Sequence, residues 1–349
     1  MTTVIGSIAR AADFERRPAQ PEARERALWR TGDFVICEMV AGEVGEFQIE
    51  LPSGEQGVLR PGDRLIGALG ARAATLQVVG DWRAAEGEDL ETLNVAGVLG
   101  KCTSIAVGAP RPARLRYVGH AVRDGSVCTM RSVLEEPPER ELTAPVILII
   151  GTSMEAGKTV AAVALTRALK SMGLRVAGVK VTGVGRFRDI RAMGAAGADF
   201  IADFVDAGLP STVVPRDEYE AALRRLGRVI AAAEPDVVIA EAGASPLEPY
   251  NGEFAVRYLA DRVCATVLCA SDPYAVVGVI QAFGSTPDLI SGRATSTKAA
   301  IDLIGKLVDI PALNMLDPES APKIEAFLRE RLRGVLSTAV SGGEAAPEG

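Results

Sequence analysis

The sequence has little of the two residues that dominate zinc sites and many catalytic centres. Its 349 residues include one histidine, His120. A lone histidine argues against a histidine-based metal site or a Ser-His-Asp triad, and with no visible carboxylate partner a structural role is favoured. The cysteines are odd in number, irregularly spaced and without a CxxC pair, which argues against a zinc site and a disulfide framework. They are Cys37, Cys102, Cys128, Cys264 and Cys269.

Long apolar runs and an excess of positive charge are also missing. The start of the chain, MTTVIGSIARAADFERRPAQ, has no apolar stretch of signal-peptide length and carries early charges. The longest apolar runs are too short to span a bilayer, so a cytoplasmic protein is expected. The net charge of −7 and pI of about 5.1 argue against nucleic acid or a membrane as the main partner. A small-molecule substrate is expected, and a homodimer is left open.

The first part of the chain predicts a small β domain. Short alternating or apolar runs at 31–140 are separated by turn signals such as Pro61-Gly62-Asp63. This spacing predicts a mainly antiparallel domain, barrel-like or sandwich-like. Before it, the charged stretch PEARERALWR predicts a short helix, so residues 1–30 are expected to be a helical lead-in. The segment LEEPPERELT at 134–143 predicts a semi-rigid linker, which places the domain boundary near residue 140.

Residues 145–165, PVILIIGTSMEAGKTVAAVAL, have the layout of a phosphate-binding loop. An apolar strand leads into a glycine-containing loop, and Gly157-Lys158-Thr159 opens an Ala-rich helix. Backbone N–H groups of such a loop and the helix N-terminus bind anions, while the Lys reaches phosphates and the Thr holds Mg²⁺. The first glycine stands at 151 rather than 152, so the loop is one residue longer than the usual pattern. The predicted cofactor-binding residues here are Gly151, Thr152, Ser153, Met154, Glu155, Ala156, Gly157, Lys158 and Thr159.

From residue 144 onward, predicted strands and helices alternate. This order predicts an α/β P-loop domain at 141–335, with a mostly parallel sheet covered by helices on both faces. Strands are expected at 145–150, 174–181, 211–214, 236–241, 264–270, 287–291 and 311–316. Helices are expected at 158–172, 188–206, 217–232, 273–283, 296–307 and 318–333. Residues 336–349, which include SGGEAAPEG, predict a disordered tail.

The ends of these strands supply candidate partners for the loop, because ligands of parallel sheets bind beyond the carboxyl ends of the strands. Lys180 interrupts an apolar strand and is predicted to neutralise a transferred group. Glu241 ends the strand VVIAE and is predicted to bind Mg²⁺ directly or through water. Asp189 is a further candidate Mg²⁺ ligand or a helix-start residue. Asn314 is a candidate for a purine edge or for a bond to the local backbone.

Two loops near these strand ends carry further polar candidates. Arg186 and Arg188 are candidates to clamp a carboxylate or phosphate, with a solvated helix start as the alternative. The proline-broken loop SPLEPYNGEF is a candidate lid over a second substrate through Glu248, Tyr250 or Asn251.

The loop and its partners resemble those of dethiobiotin synthetases. GTSMEAGKT is similar to that family's G-T-D-T-E-x-G-K-T, and GLRVAGVKV to its next strand, which ends in Lys-Pro-Val. VVIAEAGAS resembles the strand that ends in Glu-Gly-Ala-Gly. The resemblance implies an ATP–Mg²⁺ site with Lys158, Lys180 and Glu241 as catalytic residues and Thr159, Asp189 and Glu241 at the metal.

The later chain is similar to a second P-loop family, which includes the D-glutamate N-acetyltransferase-like proteins. The similar segments are AEAGASPLEPYNG and ADFIADFVDAG, although Glu248-Pro249 stands where that family has His-Pro. This resemblance implies that the same loop holds CoA or nucleotide phosphates. The two resemblances cover about 145–330.

Three hypotheses follow for the function. The first is an ATP- and Mg²⁺-dependent enzyme with ligase-like or phosphoryl-transfer chemistry on a small metabolite. The second is a CoA-dependent N-acyltransferase. The third is a non-enzymatic, nucleotide-dependent binding or assembly module.

Overall fold

The computed structural model of the protein describes residues 2–243 and 245–333. The tail predicted at 336–349 lies outside the described residues. No helix of the described part is long and apolar enough to cross a membrane.

Short strands fill the part of the chain that precedes the phosphate loop. They are β1 (Thr3–Ile5), β2 (Gln20–Glu22), β3 (Phe34–Met39), β4 (Phe47–Glu50), β5 (Gln56–Leu59), β6 (Arg64–Leu69), β7 (Ala71–Ala73), β8 (Val78–Asp81), β9 (Asp89–Thr92), β10 (Val98–Ile105), β11 (Arg114–Arg123) and β12 (Ser126–Val127). Strands β4 and β5 form a separate hairpin, and the other ten form one sheet.

Five of these strands close into a barrel. Strand β3 pairs antiparallel with β6 and β11, β11 with β9, and β9 with β10. A parallel pairing of β10 with β6 completes the ring. Its core contains Trp29, Val35, Met39, Leu65, Leu99 and Leu115. The predicted mainly antiparallel β domain is confirmed, and of the two expected forms it takes the barrel.

The expected helix in the lead-in is absent. Strand β2 pairs with β11, and residues 23–30 after it contain one short 3-10 turn, Arg26–Leu28. Strand β1 likewise pairs with β6, after which Ser7–Ala12 forms a second 3-10 segment. Strand pairing on the barrel therefore decides the structure of this stretch, and the charge pattern does not.

The second part of the chain forms a six-stranded parallel sheet between helices. Its strands are β13 (Val146–Gly151), β14 (Val176–Thr182), β15 (Phe200–Asp203), β16 (Val237–Ala242), β17 (Val263–Cys269) and β18 (Leu289–Ser291), in the order β15-β14-β16-β13-β17-β18. The helices are α1 (Lys158–Ser171), α2 (Phe187–Ala195), α3 (Arg216–Ala232), α4 (Gly252–Leu259), α5 (Pro273–Phe283), α6 (Lys298–Leu307) and α7 (Ala321–Arg331).

Both faces of this sheet are buried, which confirms the predicted α/β architecture. Ile147 and Ile149 of β13 pack on the side of α1, α2 and α7. Leu148 and Ile150 point to the other side, where α3 to α6 pack. Alternating side chains of one strand thus enter two cores, as expected for a strand covered on both faces.

Three predicted elements of this part differ from the structure. The helix expected at 188–206 ends at Ala195, because Gly197 adopts a left-handed φ of 105°. The chain then forms β15, so the strand expected at 211–214 is not there and Ser211 makes only an isolated bridge. At 311–316 there is likewise one bridge, between Ile290 and Ala312.

Candidate functional site

The loop at 151–159 has a backbone that requires its two glycines. Gly157 has φ 102°, and a Cβ there would lie 2.9 Å from the Cα of Gly292. A Cβ on Gly151 would lie 2.8 Å from the Nζ of Lys158. Gly151 therefore leaves the space over which the Lys158 side chain folds.

Lys158, the first residue of α1, turns back into the loop. It is 4% exposed, and its Nζ donates a hydrogen bond to the carbonyl oxygen of Ser153 at 2.7 Å. Burial lowers the pKa of Lys158, and the charge of Lys180 lowers it further, against the effect of Glu241. Since the acceptor of this hydrogen bond is a neutral carbonyl oxygen, the ammonium of Lys158 is available to an anion held by the loop.

Glu241 lies next to the first turn of α1. Strand β16, which carries it, neighbours β13, with Ile149 opposite Glu241. Thr159 Oγ1 donates to Glu241 Oε2 at 3.1 Å. Burial and the nearby Asp189 raise the pKa of Glu241, although Lys180 and Lys158 oppose this. The predicted pair of a hydroxyl and a carboxylate beside the loop is thus brought together.

Lys180 and Asp189 form a buried ion pair. Lys180 stands opposite Glu241 in the register of β14 and β16, and its Nζ donates to Asp189 Oδ2 at 2.6 Å. Burial would lower the pKa of Lys180, but the carboxylates of Asp189 and Glu241 raise it above its ordinary value. Burial opposes the ionised form of Asp189 too, yet Lys180 holds the pKa of that carboxyl below its ordinary value. Asp189 therefore forms its ion pair with Lys180, whereas Glu241 accepts a hydrogen bond from Thr159.

These side chains line a cavity of about 550 Å³ that is shared with the barrel. The predicted residues on its wall are Met154, Glu155, Gly157, Lys158, Thr159, Lys180, Asp189 and Glu241. Three other loop residues hold the loop in place. Thr152 Oγ1 accepts from Ser271 N, Ser153 Oγ donates to Met154 O, and Ala156 O accepts from Arg293 N.

Asn314 is not among the residues that line this cavity. Its Oδ1 accepts from the backbone N–H of Leu316 at 3.0 Å. Of the two roles expected for Asn314, this is the hydrogen bond to the local backbone. A contact of Asn314 with a purine stays a prediction.

The loop predicted as a lid instead joins the two parts of the chain. The hydroxyl of Tyr250 accepts from Ala73 N at 2.9 Å, and Glu248 accepts from Thr75 Oγ1 at 2.8 Å. The Asn251 amide donates to two backbone carbonyls. These contacts use the polar groups that were expected to face a substrate.

The barrel adds residues to the site that the sequence did not reveal. Arg72 and Gln77 line the cavity, and Gln77 Nε2 donates to Glu155 Oε1 of the loop at 3.2 Å. Asn94 Nδ2 donates to Gly185 O at 2.8 Å. The sequence did contain one indication that Arg72 belongs to the site. It is a cation within the stretch of small and apolar residues GALGARAAT, just as Lys180 is a cation within an apolar strand.

The lone histidine and the acidic residues are the remaining side chains that could bind a metal ion. His120 is buried in the barrel, where its Nε2 lies 3.2 Å from Asp33 Oδ2 and its Nδ1 2.6 Å from the Tyr117 hydroxyl. Among the described residues no group of three or more His, Cys, Asp or Glu side chains is placed to hold a metal ion. A metal at Thr159 and Glu241 would therefore need ligands from a substrate or water.

Comparison with known proteins places the second part of the chain in a broad class. Residues 134–283 match the model of a family described as a domain of unknown function (DUF1611_C) P-loop domain. The chain thus contains a P-loop domain of the P-loop NTPase superfamily, as predicted. A likeness to dethiobiotin synthetases in particular stays a prediction. No curated protein matches the chain.

Several solved structures are similar to it at low identity. A DUF1611 family protein from Anabaena variabilis is 16% identical, with a TM-score of 0.37, over 60% of this chain and 66% of that one. HypB from Helicobacter pylori in complex with nickel is 16% identical, with a TM-score of 0.37, over 55% and 88%. The signal recognition particle receptor FtsY from Elizabethkingia anophelis in complex with GDP is 14% identical, with a TM-score of 0.36, over 48% of this chain. The chain spans 56% of that FtsY structure.

Proposed function

We propose that this protein is an ATP- and Mg²⁺-dependent enzyme that acts on a small metabolite by ligase-like or phosphoryl-transfer chemistry. The observation that carries the proposal is the contact of Thr159 with Glu241 near Lys158, on the wall of one cavity. A hydroxyl and a carboxylate next to a phosphate-binding loop are the oxygen donors that Mg²⁺ takes in such sites.

The residues present fit a nucleotide and a metal. Gly151 leaves room for Lys158 to lie in the loop, where its ammonium donates a hydrogen bond to the backbone carbonyl of Ser153. The loop N–H groups and Lys158 would hold the phosphates, and Thr159 and Glu241 would hold Mg²⁺. When bound, Mg²⁺ neutralises charge on the phosphate oxygens.

In this reaction the protein's own side chains would position the phosphates and neutralise the negative charge on the transferred group. Lys180 is 5% exposed and is kept protonated by Asp189, so it provides a fixed positive charge on the cavity wall. Together with Lys158 it would stabilise negative charge that develops on the transferred group. The barrel contributes part of the wall of this cavity, including Arg72 and Gln77.

The proposal is tested by calorimetric titration of the full chain with Mg-ATP, Mg-GTP and acetyl-CoA. We expect Mg-ATP to bind and Lys158→Ala and Thr159→Ala to weaken it by at least about tenfold, since each removes a contact to a charged group. Lys170→Ala, a change of the more exposed lysine near the other end of α1, is the matched control and should leave binding unchanged.

Other outcomes would overturn the proposal or favour one of the two alternative functions. Full activity or full binding in the Lys158→Ala protein would overturn the proposal. Binding of acetyl-CoA without binding of ATP would favour the acyltransferase. Hydrolysis of ATP that no metabolite accelerates would favour a binding or assembly module.

A further inference from the structure

Two arginines from different parts of the chain line the cavity without a carboxylate partner. Arg72 of β7 is 7% exposed, and its two terminal nitrogens donate to neutral acceptors, the carbonyl oxygen of Leu93 at 2.6 Å and the side-chain oxygen of Gln77. Arg186, just before α2, is half-buried. The Nε of each guanidinium has no acceptor among the described residues.

Two other arginines with side chains that are 10% exposed or less do have carboxylate partners. Arg10, with a side chain 10% exposed, pairs with Asp203 at 2.7 Å and with Asp206 at 2.8 Å. Arg225, 7% exposed, pairs with Glu136 at 2.6 Å. A buried charge without a counter-ion is unfavourable. Arg72 keeps such a charge on the wall of an open cavity, where a ligand can reach it.

Both arginines are held in place by contacts between the barrel and the P-loop domain. Gln77 joins Arg72 to Glu155 of the loop, since it accepts from the first and donates to the second. The backbone around Arg186 is fixed by Asn94, which donates to Gly185 O. Burial lowers the pKa of Arg72, and the charge of Arg186 lowers it further, so the two guanidiniums lie within electrostatic reach of each other.

The cavity as a whole has an excess of positive charge. Its charged lining consists of the cations Arg72, Lys158, Lys180, Arg186 and Arg188 and the carboxylates Glu155, Asp189 and Glu241. Asp189 already pairs with Lys180, and Glu241 lies against Thr159. Of the three arginines Arg188 is exposed, so Arg72 of the barrel and Arg186 of the P-loop domain are the covered cations left for a ligand. Guanidinium groups bind planar or tetrahedral oxyanions with two parallel hydrogen bonds.

We propose that Arg72 and Arg186 form a second anion site on the cavity wall next to the phosphate loop, which binds the carboxylate or phosphate group of the second substrate. The assignment of this group to a second substrate rests on the proposed function, whereas the anion site itself rests on the two arginines. The barrel thereby provides substrate recognition for a reaction that takes place at the loop.

The site is tested by titrating the full chain with succinate and, separately, with inorganic phosphate. Each titration is run with and without saturating Mg-ADP. We expect one of the two anions to bind the wild-type protein, which also decides between a carboxylate and a phosphate. Arg72→Gln and Arg186→Gln should each weaken that anion by about tenfold or more, since each removes charge-assisted hydrogen bonds. Affinity for Mg-ADP should change by less than about threefold, because ADP phosphates are held at the loop.

Arg60→Gln removes an exposed arginine of the barrel and should change neither affinity. If Arg72→Gln does not fold, the Arg186→Gln protein decides, because that side chain is only half-buried. The inference is overturned if neither anion binds the wild-type protein, or if Arg72→Gln weakens Mg-ADP as much as Lys158→Ala does. Anion binding that depends on both arginines in a protein that does not bind Mg-ADP would retain the site and reject the proposed function.

Discussion

Single residues of the site are stabilised mainly by one another. Lys180, Asp189 and Glu241 are all largely buried. Asp189 and Glu241 raise the pKa of Lys180, Lys180 lowers the pKa of Asp189, and Asp189 raises the pKa of Glu241 while Lys180 lowers it. Water cannot replace a lost partner at such a position as it does on the surface. Removal of one charge therefore leaves another uncompensated, and the penalty is larger than for an exposed ion pair.

Asp189→Asn should lower the free energy of unfolding by about 3 kcal/mol, because Lys180 then keeps a buried charge with one carboxylate fewer. The matched control is Glu220→Gln, which breaks the exposed pair of Glu220 with Arg224 on α3 and should cost at most about 0.5 kcal/mol. Urea unfolding of the three proteins measures both values. Equal losses in the two variants would contradict a buried, mutually dependent charge cluster.

The sequence revealed these residues where the local pattern was broken. Lys180 and Glu241 are charged residues in strands that are otherwise apolar, and a parallel sheet places the ends of such strands together. Arg72 breaks its local pattern in the same way, but it belongs to a barrel. Which barrel residue faces the loop depends on how the two parts pack, and no local pattern contains that information.

At the scale of elements, helix α2 depends on a side chain from the hairpin β4–β5. Its own N-cap residue, Arg186, provides no side-chain acceptor. Instead Glu50 of the hairpin β4–β5 accepts from Phe187 N at 2.8 Å and from Arg188 N at 2.9 Å. A carboxylate at a helix N-terminus satisfies free N–H groups and interacts well with the helix dipole. The hairpin therefore positions the start of the helix that carries Asp189.

Glu50→Gln should release this end of the helix, because the amide has one acceptor oxygen and no charge. We expect a loss of about 1–3 kcal/mol in stability and faster hydrogen exchange at the amides of Phe187 and Arg188. Thr297→Ala, which removes the cap of α6, is the control. It should cost about 1 kcal/mol without faster exchange at α2. Unchanged exchange at these two amides in the Glu50→Gln protein would contradict the capping role.

Elements with a local signal were predicted well, and those decided by distant contacts were not. The period of α3 and the apolar strands β13, β16 and β17 are visible in the sequence. The contact of Glu50 with α2 joins residues 137 positions apart. The end of α2 did have a local signal, since Gly197 with its left-handed φ follows the last turn. The Ala-rich pattern around that glycine favoured a longer helix and led to the wrong prediction.

At the scale of the whole molecule, the barrel and the P-loop domain share one hydrophobic core. A single cluster contains Ile8, Phe34 and Ile66 from the first part and Phe204 and Leu209 from the second. Further contacts cross between the parts, including the ion pair of Arg10 with Asp203. Burial of apolar surface is the main favourable term in folding, so parts with a common core are expected to unfold together.

This coupling is testable because both tryptophans of the sequence, Trp29 and Trp82, belong to the barrel core. Their fluorescence reports on the barrel, whereas far-ultraviolet circular dichroism is dominated by the helices of the other part. The two urea transitions should coincide, and Mg-ATP at a hundred times its dissociation constant should stabilise both by about 2.7 kcal/mol. In the Lys158→Ala protein, whose affinity is expected to be at least about tenfold lower, the same Mg-ATP concentration should stabilise both transitions by no more than about 1.4 kcal/mol. A ligand-induced shift of the circular dichroism transition alone would mean that the barrel unfolds independently, and the cavity between the two parts would then lack the rigid wall that Arg72 requires.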